Sequence, residues 1–189
     1  AQAVCTRLCH DLGGPVGALS GALELLEGTD GPARAGDDAL EVARDAARII
    51  DRRLRFFRAA IGGVAGELGP DELGQLSEGL TLGRRATVDL SGLAAERPVP
   101  PAVAQTLLVA MWTAIESLPR GGAVRVAGEA SAGLSVLPDG PGGSWPATLV
   151  PALRGEPQLL APRGIAVPLL VMVAAAARVQ LDLPLAPAG

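Results

Sequence analysis

The sequence predicts an α+β protein: an N-terminal helical hairpin followed by a small α/β sandwich. Three observations predict it. The first third of the chain holds two long stretches with helical apolar spacing. The glycine-rich run Gly62-Gly-Val-Ala-Gly-Glu-Leu-Gly-Pro70 then breaks that spacing. Beyond it, strand-like and helix-like segments alternate, an order that suits helices packed on one face of a small sheet. The break divides the chain into a hairpin unit, residues 1–65, and a sandwich unit, residues 66–189.

The first helix is expected to run from residue 1 to about residue 28. Helical residues advance about 100° each, which puts Val4, Leu8, Leu12, Pro15, Leu19, Leu23 and Leu26 on one seam about 100° wide. His10 points roughly 190° from the centre of that seam, toward solvent. Gly14, Gly17 and Gly21 follow it within about 40° on succeeding turns. Cys5 and Cys9 flank the seam and read as reduced, small, core-edge residues. Gly28-Thr-Asp-Gly-Pro32 is a turn cluster.

A second helix is expected over Asp37–Ile61, with an apolar stripe of Val42, Ala46, Ile49, Ile50, Leu54, Phe57 and Ile61. Arg44, Arg48, Arg52, Arg55 and Arg58 form a basic ridge beside Glu41, Asp45 and Asp51. It reads either as a solvated face laced by i,i+4 pairs or as a dock for an acidic partner. A lone hairpin cannot bury both stripes. Two copies about a two-fold axis can, which predicts a homodimer with a four-helix bundle.

The second unit is expected to hold a short helix at Asp71–Leu82, a strand at Ala86–Leu90 and an apolar helix at Pro100–Leu118. A hairpin of strands follows at Ala123–Gly128 and Leu134–Leu137. The Gly/Pro-rich loop 138–146, a short helix at Ala147–Arg154, a helix at Ile165–Ala177 and a closing strand at Val179–Leu183 complete it.

Composition narrows the functional classes. Net charge is −4, which disfavours nucleic acid as a partner. No apolar run reaches the ~18 residues of a membrane span. With no visible signal peptide, the cytoplasm is the default location. A metal site is not expected, because two cysteines and one histidine supply too few ligands. All 16 basic residues are arginine, and the chain has neither lysine nor asparagine.

His10 is the residue type for nucleophilic group transfer. Neutral imidazole is a good nucleophile near neutral pH, and an exposed ring lets a partner approach in line. Asp11 is the adjacent acid, able to orient the ring or take its proton. Pro15 removes a backbone donor one turn on and can kink the helix beside the site. Gly13, Gly14, Gly17 and Gly21 together cost about 3–4 kcal/mol relative to alanine in one helix. They read either as a flat docking face for another protein's helix or as drift tolerated within a dimeric bundle.

His10-Asp-Leu with Pro15 resembles the phosphoacceptor box of histidine kinase dimerisation helices. That resemblance implies that the second unit is shaped like a kinase ATPase domain. Its nucleotide motifs are degraded: Thr113 stands in the register of the magnesium-binding asparagine. The glycines of Asp139-Gly-Pro-Gly-Gly143 are out of step, and Ala161–Pro168 keeps a single glycine. Arg7-Leu-Cys-His-Asp-Leu-x-x-Pro-Val-Gly-Ala-x-Ser20, then Leu23-Glu-Leu-Leu26 and Ala114-x-Glu-Ser-Leu-Pro-Arg-Gly-Gly122, resemble the ChpT family of alphaproteobacterial histidine phosphotransferases. The loop 138–146 departs from that family.

The resemblance implies phosphoryl relay through His10 without ATP and without a bound cofactor. The phosphoryl group would pass between the receiver domain of a hybrid histidine kinase and response regulators, including the CtrA type. Magnesium is expected on the partner receiver. Arg7, Leu12, Gly13, Gly14, Val16 and Gly17 are the expected receiver contacts. Two alternatives remain: an ATP-dependent sensor histidine kinase core, and a non-catalytic dimeric adaptor that binds receivers.

Overall fold

The computed structural model describes residues 1–27, 33–94, 97–157, 161–162 and 164–183. Two long helices, α1 (Gln2–Glu27) and α2 (Ala33–Gly62), pack along each other as a hairpin. The turn predicted between them at residues 28–32 lies outside the described residues. Small residues close their interface: Ala22 of α1 and Ala39, Ala43 and Ala46 of α2 are buried. α1 continues unbroken through Pro15.

The predicted seam on α1 is half-buried rather than buried, and Leu23 is 47% exposed. On α2, Val42 and Leu54 of the predicted stripe are exposed while Ala46 and Phe57 are buried. Both cysteines are free and exposed, against the expectation that they border a core. The reason is shared by all of these positions: within one chain, a two-helix hairpin covers only one side of each helix.

The basic ridge on α2 is laced by local pairs, Arg48 with Asp45 at 3.1 Å and Arg55 with Asp51 at 2.9 Å. Arg52 instead reaches Glu78 of α3 (Pro70–Thr81) at 3.0 Å. Beneath that bridge α2 and α3 touch backbone to backbone at Gly79. A Cβ there would overlap the Arg52 carbonyl oxygen and the Phe56 Cβ. Gly79→Ala should therefore destabilise the fold by on the order of 1–3 kcal/mol, the usual range for overpacking a tight contact. Urea unfolding of both proteins measures this, and an unchanged midpoint would mean that the crossing relaxes freely.

The sheet has three strands in the order β1 (Ala86–Leu93), β2 (Gly122–Glu129), β3 (Gly133–Asp139). β1 runs parallel to β2 through the crossover helix α4 (Pro101–Glu116), and β2 pairs antiparallel with β3. β1 runs past its predicted end at Leu90. A register shift between Asp89 and Gly92 lets pairing resume, with Gly92 opposite Ala127.

Val124 and Val126 point into the core while Arg125 between them is exposed, so one sheet face is packed and the other is wet. α4 is apolar almost all round because it is sandwiched between the sheet and α6 (Ala166–Ala177). α5 (Leu149–Leu153) packs beside α6. The predicted closing strand at Val179–Leu183 is not a strand. Arg178 ends α6 in the left-handed region at φ 56°, and the segment beyond it packs Leu181 and Leu183 against the core without joining the ladder. Pro184 follows at once and could donate no ladder hydrogen bond.

The hydrophobic core crosses the predicted boundary at residue 65. Phe56, Phe57, Ala59 and Ala60 from the end of α2 join Leu73, Leu108, Met111 and Trp112 in one buried cluster. The loop 63–69 thus marks a break in the chain's path and not in its packing.

Candidate functional site

His10 stands on α1 with a side chain 72% exposed, on the solvent side where its helical position places it. Its neighbour Asp11 is one of the two buried residues of that helix. The Asp11 carboxylate bridges two partners. Oδ2 accepts a hydrogen bond from Arg7 Nε at 2.8 Å, and Oδ1 lies 3.2 Å from His10 Nδ1. A carboxylate can only accept. The contact is a hydrogen bond only when Nδ1 carries the proton, and in that tautomer the Nε2 lone pair is free.

Pro15 completes this arrangement through the backbone. It has no N–H, so the Asp11 carbonyl loses its helical partner four residues on. Arg53 of α2 supplies the missing donor through its guanidinium. The turn carrying His10 is thereby fixed to the second helix, and α1 stays helical across the proline.

The other predicted contact residues divide. Gly13, Gly14 and Gly17 are exposed, and a Cβ at any of them would meet nothing within 4 Å. No packing inside the chain requires these glycines, although each weakens the helix. Val16 is 47% exposed. Leu12 lies elsewhere: with Leu8, Leu54, Phe57 and Ile61 it lines an open groove of about 1100 Å³ along the hairpin and the start of the linker.

Arg7 does not face the open side of α1. Its side chain is 11% exposed and crosses to α4, where Nη2 meets Glu116 Oε1 at 2.7 Å. Its guanidinium carbon sits 5.8 Å from the centre of the Trp112 ring, and Trp112 Nε1 donates to the same Glu116 oxygen at 3.0 Å. Burial pushes the Glu116 carboxyl above its ordinary range, with Arg7 and the Trp112 N–H pulling the other way. Arg7 and Glu116 wall a cleft of about 670 Å³ rimmed by the exposed Arg84, Arg85 and Arg120.

Sequence reasoning assigned no role to Arg53, Trp112 or Glu116. Glu116 carried a signal: one carboxylate closing an otherwise apolar helix must find a partner when buried. Thr113 and Asp139, the positions compared with nucleotide-binding residues, are both engaged. The buried Thr113 hydroxyl donates to its own helix at Val109 O, 2.9 Å away, and Asp139 pairs with Arg125 at 2.7 Å. Among the described residues no group of His, Cys, Asp and Glu side chains could hold a metal ion, and no helix is long and apolar enough to cross a membrane.

Residues 70–188 match the family model described as the histidine phosphotransferase C-terminal domain. A stretch of 66 residues is 42% identical to protein phosphotransferase ChpT of Brucella abortus (strain 2308). That stretch is 35% of this chain and 29% of the relative, so the match spans under a third of that protein's length. A solved structure of a bacterial phosphotransferase superposes with a TM-score of 0.72 at 23% identity, over 94% of this chain and 86% of that one. It shares the fold.

Proposed function

This chain belongs to the histidine phosphotransferase family, with a ChpT-like sequence, and from that premise we propose that His10 carries a phosphoryl group between receiver domains. The observation that carries the reading is the exposed ring held by Asp11 through Nδ1, with Nε2 free. The Nε2 lone pair attacks the phosphorus of a receiver's aspartyl phosphate. The P–O bond to the aspartate breaks, and the carboxylate leaves with the bonding pair. Asp11 stabilises the positive charge that develops on the ring. Transfer to a second receiver reverses these steps. The partner supplies the aspartate and its magnesium; this chain supplies the nucleophile and the docking face.

The engaged Thr113 and Asp139, with the missing asparagine, support transfer through His10 without ATP, beside a second unit that resembles a degraded ATPase domain. The partners in this reading are a hybrid histidine kinase and response regulators. A second copy of the chain is expected on the hairpin. The groove lined by Leu8, Leu12, Leu54 and Phe57 favours it, because an open apolar groove on a helix pair is what a bundle partner fills.

Incubation with a ³²P-labelled receiver domain tests the function. Wild type should acquire acid-labile label and His10→Ala none. Equal labelling of the two, or of neither, would sink the proposal. Gly17→Leu tests the docking face. It should weaken receiver binding roughly tenfold, a loss of about 1.4 kcal/mol, and leave the dimer intact. Unchanged transfer by Gly17→Leu would remove that role from the glycines.

A further inference from the structure

We infer that Glu116 is a positioning residue for His10, acting through Arg7 and Asp11 across the junction between the hairpin and the sandwich. The inference rests on the reading of His10 as the phosphoacceptor. It concerns a residue on another element that never reaches the reacting atoms.

The chain of contacts is continuous. Glu116 Oε1 holds Arg7 Nη2 at 2.7 Å, Arg7 Nε holds Asp11 Oδ2 at 2.8 Å, and Asp11 Oδ1 faces His10 Nδ1 at 3.2 Å. The side chains of Arg7, Asp11 and Glu116 are only 11%, 7% and 14% exposed, whereas the imidazole is 72% exposed. Buried side chains in a saturated network have few alternative rotamers; an exposed ring has many. The order of the ring must therefore come from below.

Glu116 is itself fixed on its far side. Trp112 Nε1 donates to the oxygen that Arg7 also uses, and the Trp112 ring lies under the Arg7 guanidinium. Trp112 is 1% exposed and wedged edge-on against Phe56 and Phe57. A rigid point in the core of the second unit is thus transmitted to the helix face of the first. Arg7 performs the transmission because its planar fork offers separate N–H groups to two carboxylates at once. A lysine would be a single point charge.

The arrangement has a chemical consequence. Without a fixed Asp11, the imidazole can place its proton on either nitrogen. A proton on Nε2 removes the nucleophile from the outward side. Glu116 therefore acts on the fraction of chains ready for attack and not on the attack itself.

The test exploits His10 being the only histidine, so that a ¹⁵N-histidine-labelled full chain gives a single pair of ring nitrogen signals. Above the titration range of the imidazole, wild type should show the Nδ1–H form in excess. Glu116→Ala should shift the ring toward Nε2–H and slow label uptake roughly tenfold, with receiver affinity unchanged. Glu116→Gln keeps an oxygen that accepts from both Arg7 and Trp112 and should restore most of the wild-type tautomer ratio. A folded Glu116→Ala protein with the wild-type ratio would overturn the inference. If that variant does not fold, Arg7→Lys decides: it should show the same shift, and a wild-type ratio there overturns the inference equally. These ring signals need no receiver, so they stand apart from the labelling of wild type and His10→Ala, which decides the reading beneath them.

Discussion

Replacing His10 with alanine should abolish phosphoryl uptake completely while leaving the melting temperature nearly unchanged. The two halves of this result have separate causes. The loss is total because the chain has no second histidine, and no neighbouring side chain can form the same labile phosphoryl–nitrogen bond. The stability is preserved because the ring is 72% exposed and makes one polar contact, to Asp11. Asp11 keeps its bond to Arg7 after the substitution, so no buried charge is orphaned. Surface changes of this kind stay within about 0.5 kcal/mol, and alanine's higher helix propensity offsets part of that. Calorimetry beside the labelling assay separates the two effects. A large drop in melting temperature would mean that the imidazole holds the helix in place.

Trp112→Ala should have the largest effect on stability, about 3–5 kcal/mol, the range for deleting a fully buried large aromatic. The ring is 1% exposed and packs edge-on against Phe56 at 6.1 Å and Phe57 at 5.3 Å between centroids. These are the contacts by which the end of α2 enters the core of the second unit. The same substitution removes the N–H that holds Glu116 and the surface beneath Arg7. Unfolding in urea should show a lower midpoint. Trp112→Phe should recover most of the packing without the hydrogen bond. A loss below about 1 kcal/mol for the alanine variant would mean that the junction collapses readily around the gap.

Much of the fold was legible because its signals are local. Helical spacing marked both long helices, and the glycine-proline run ended the second one. The alternation around Val124 and Val126 marked a strand with one buried face. The errors fell where tertiary packing decides. Val179–Leu183 has a strand's composition, yet the left-handed Arg178 turns it away from the ladder. The exposure of Leu23, Val42 and Leu54 is no such error, because a lone hairpin is expected to leave part of each stripe uncovered.

At the site, His10 and Asp11 could be read from residue type and angular position. Arg7 could not. On a helix its charge suggests an outward-facing contact, and only the placement of α4 shows it turned inward to Glu116. Arg53 was equally hidden, although Pro15 announced that the Asp11 carbonyl would need a donor.

By itself, the sequence determined the hairpin, the exposed histidine, the glycine-smoothed face and the family. Each depends on residue type and on spacing within a few turns of chain. The tertiary structure decided which charges are solvated and which are buried in the network beneath the imidazole. That choice depends on which distant elements meet, and Arg7 and Glu116, far apart in the chain, meet only because α1 and α4 are brought together in the fold.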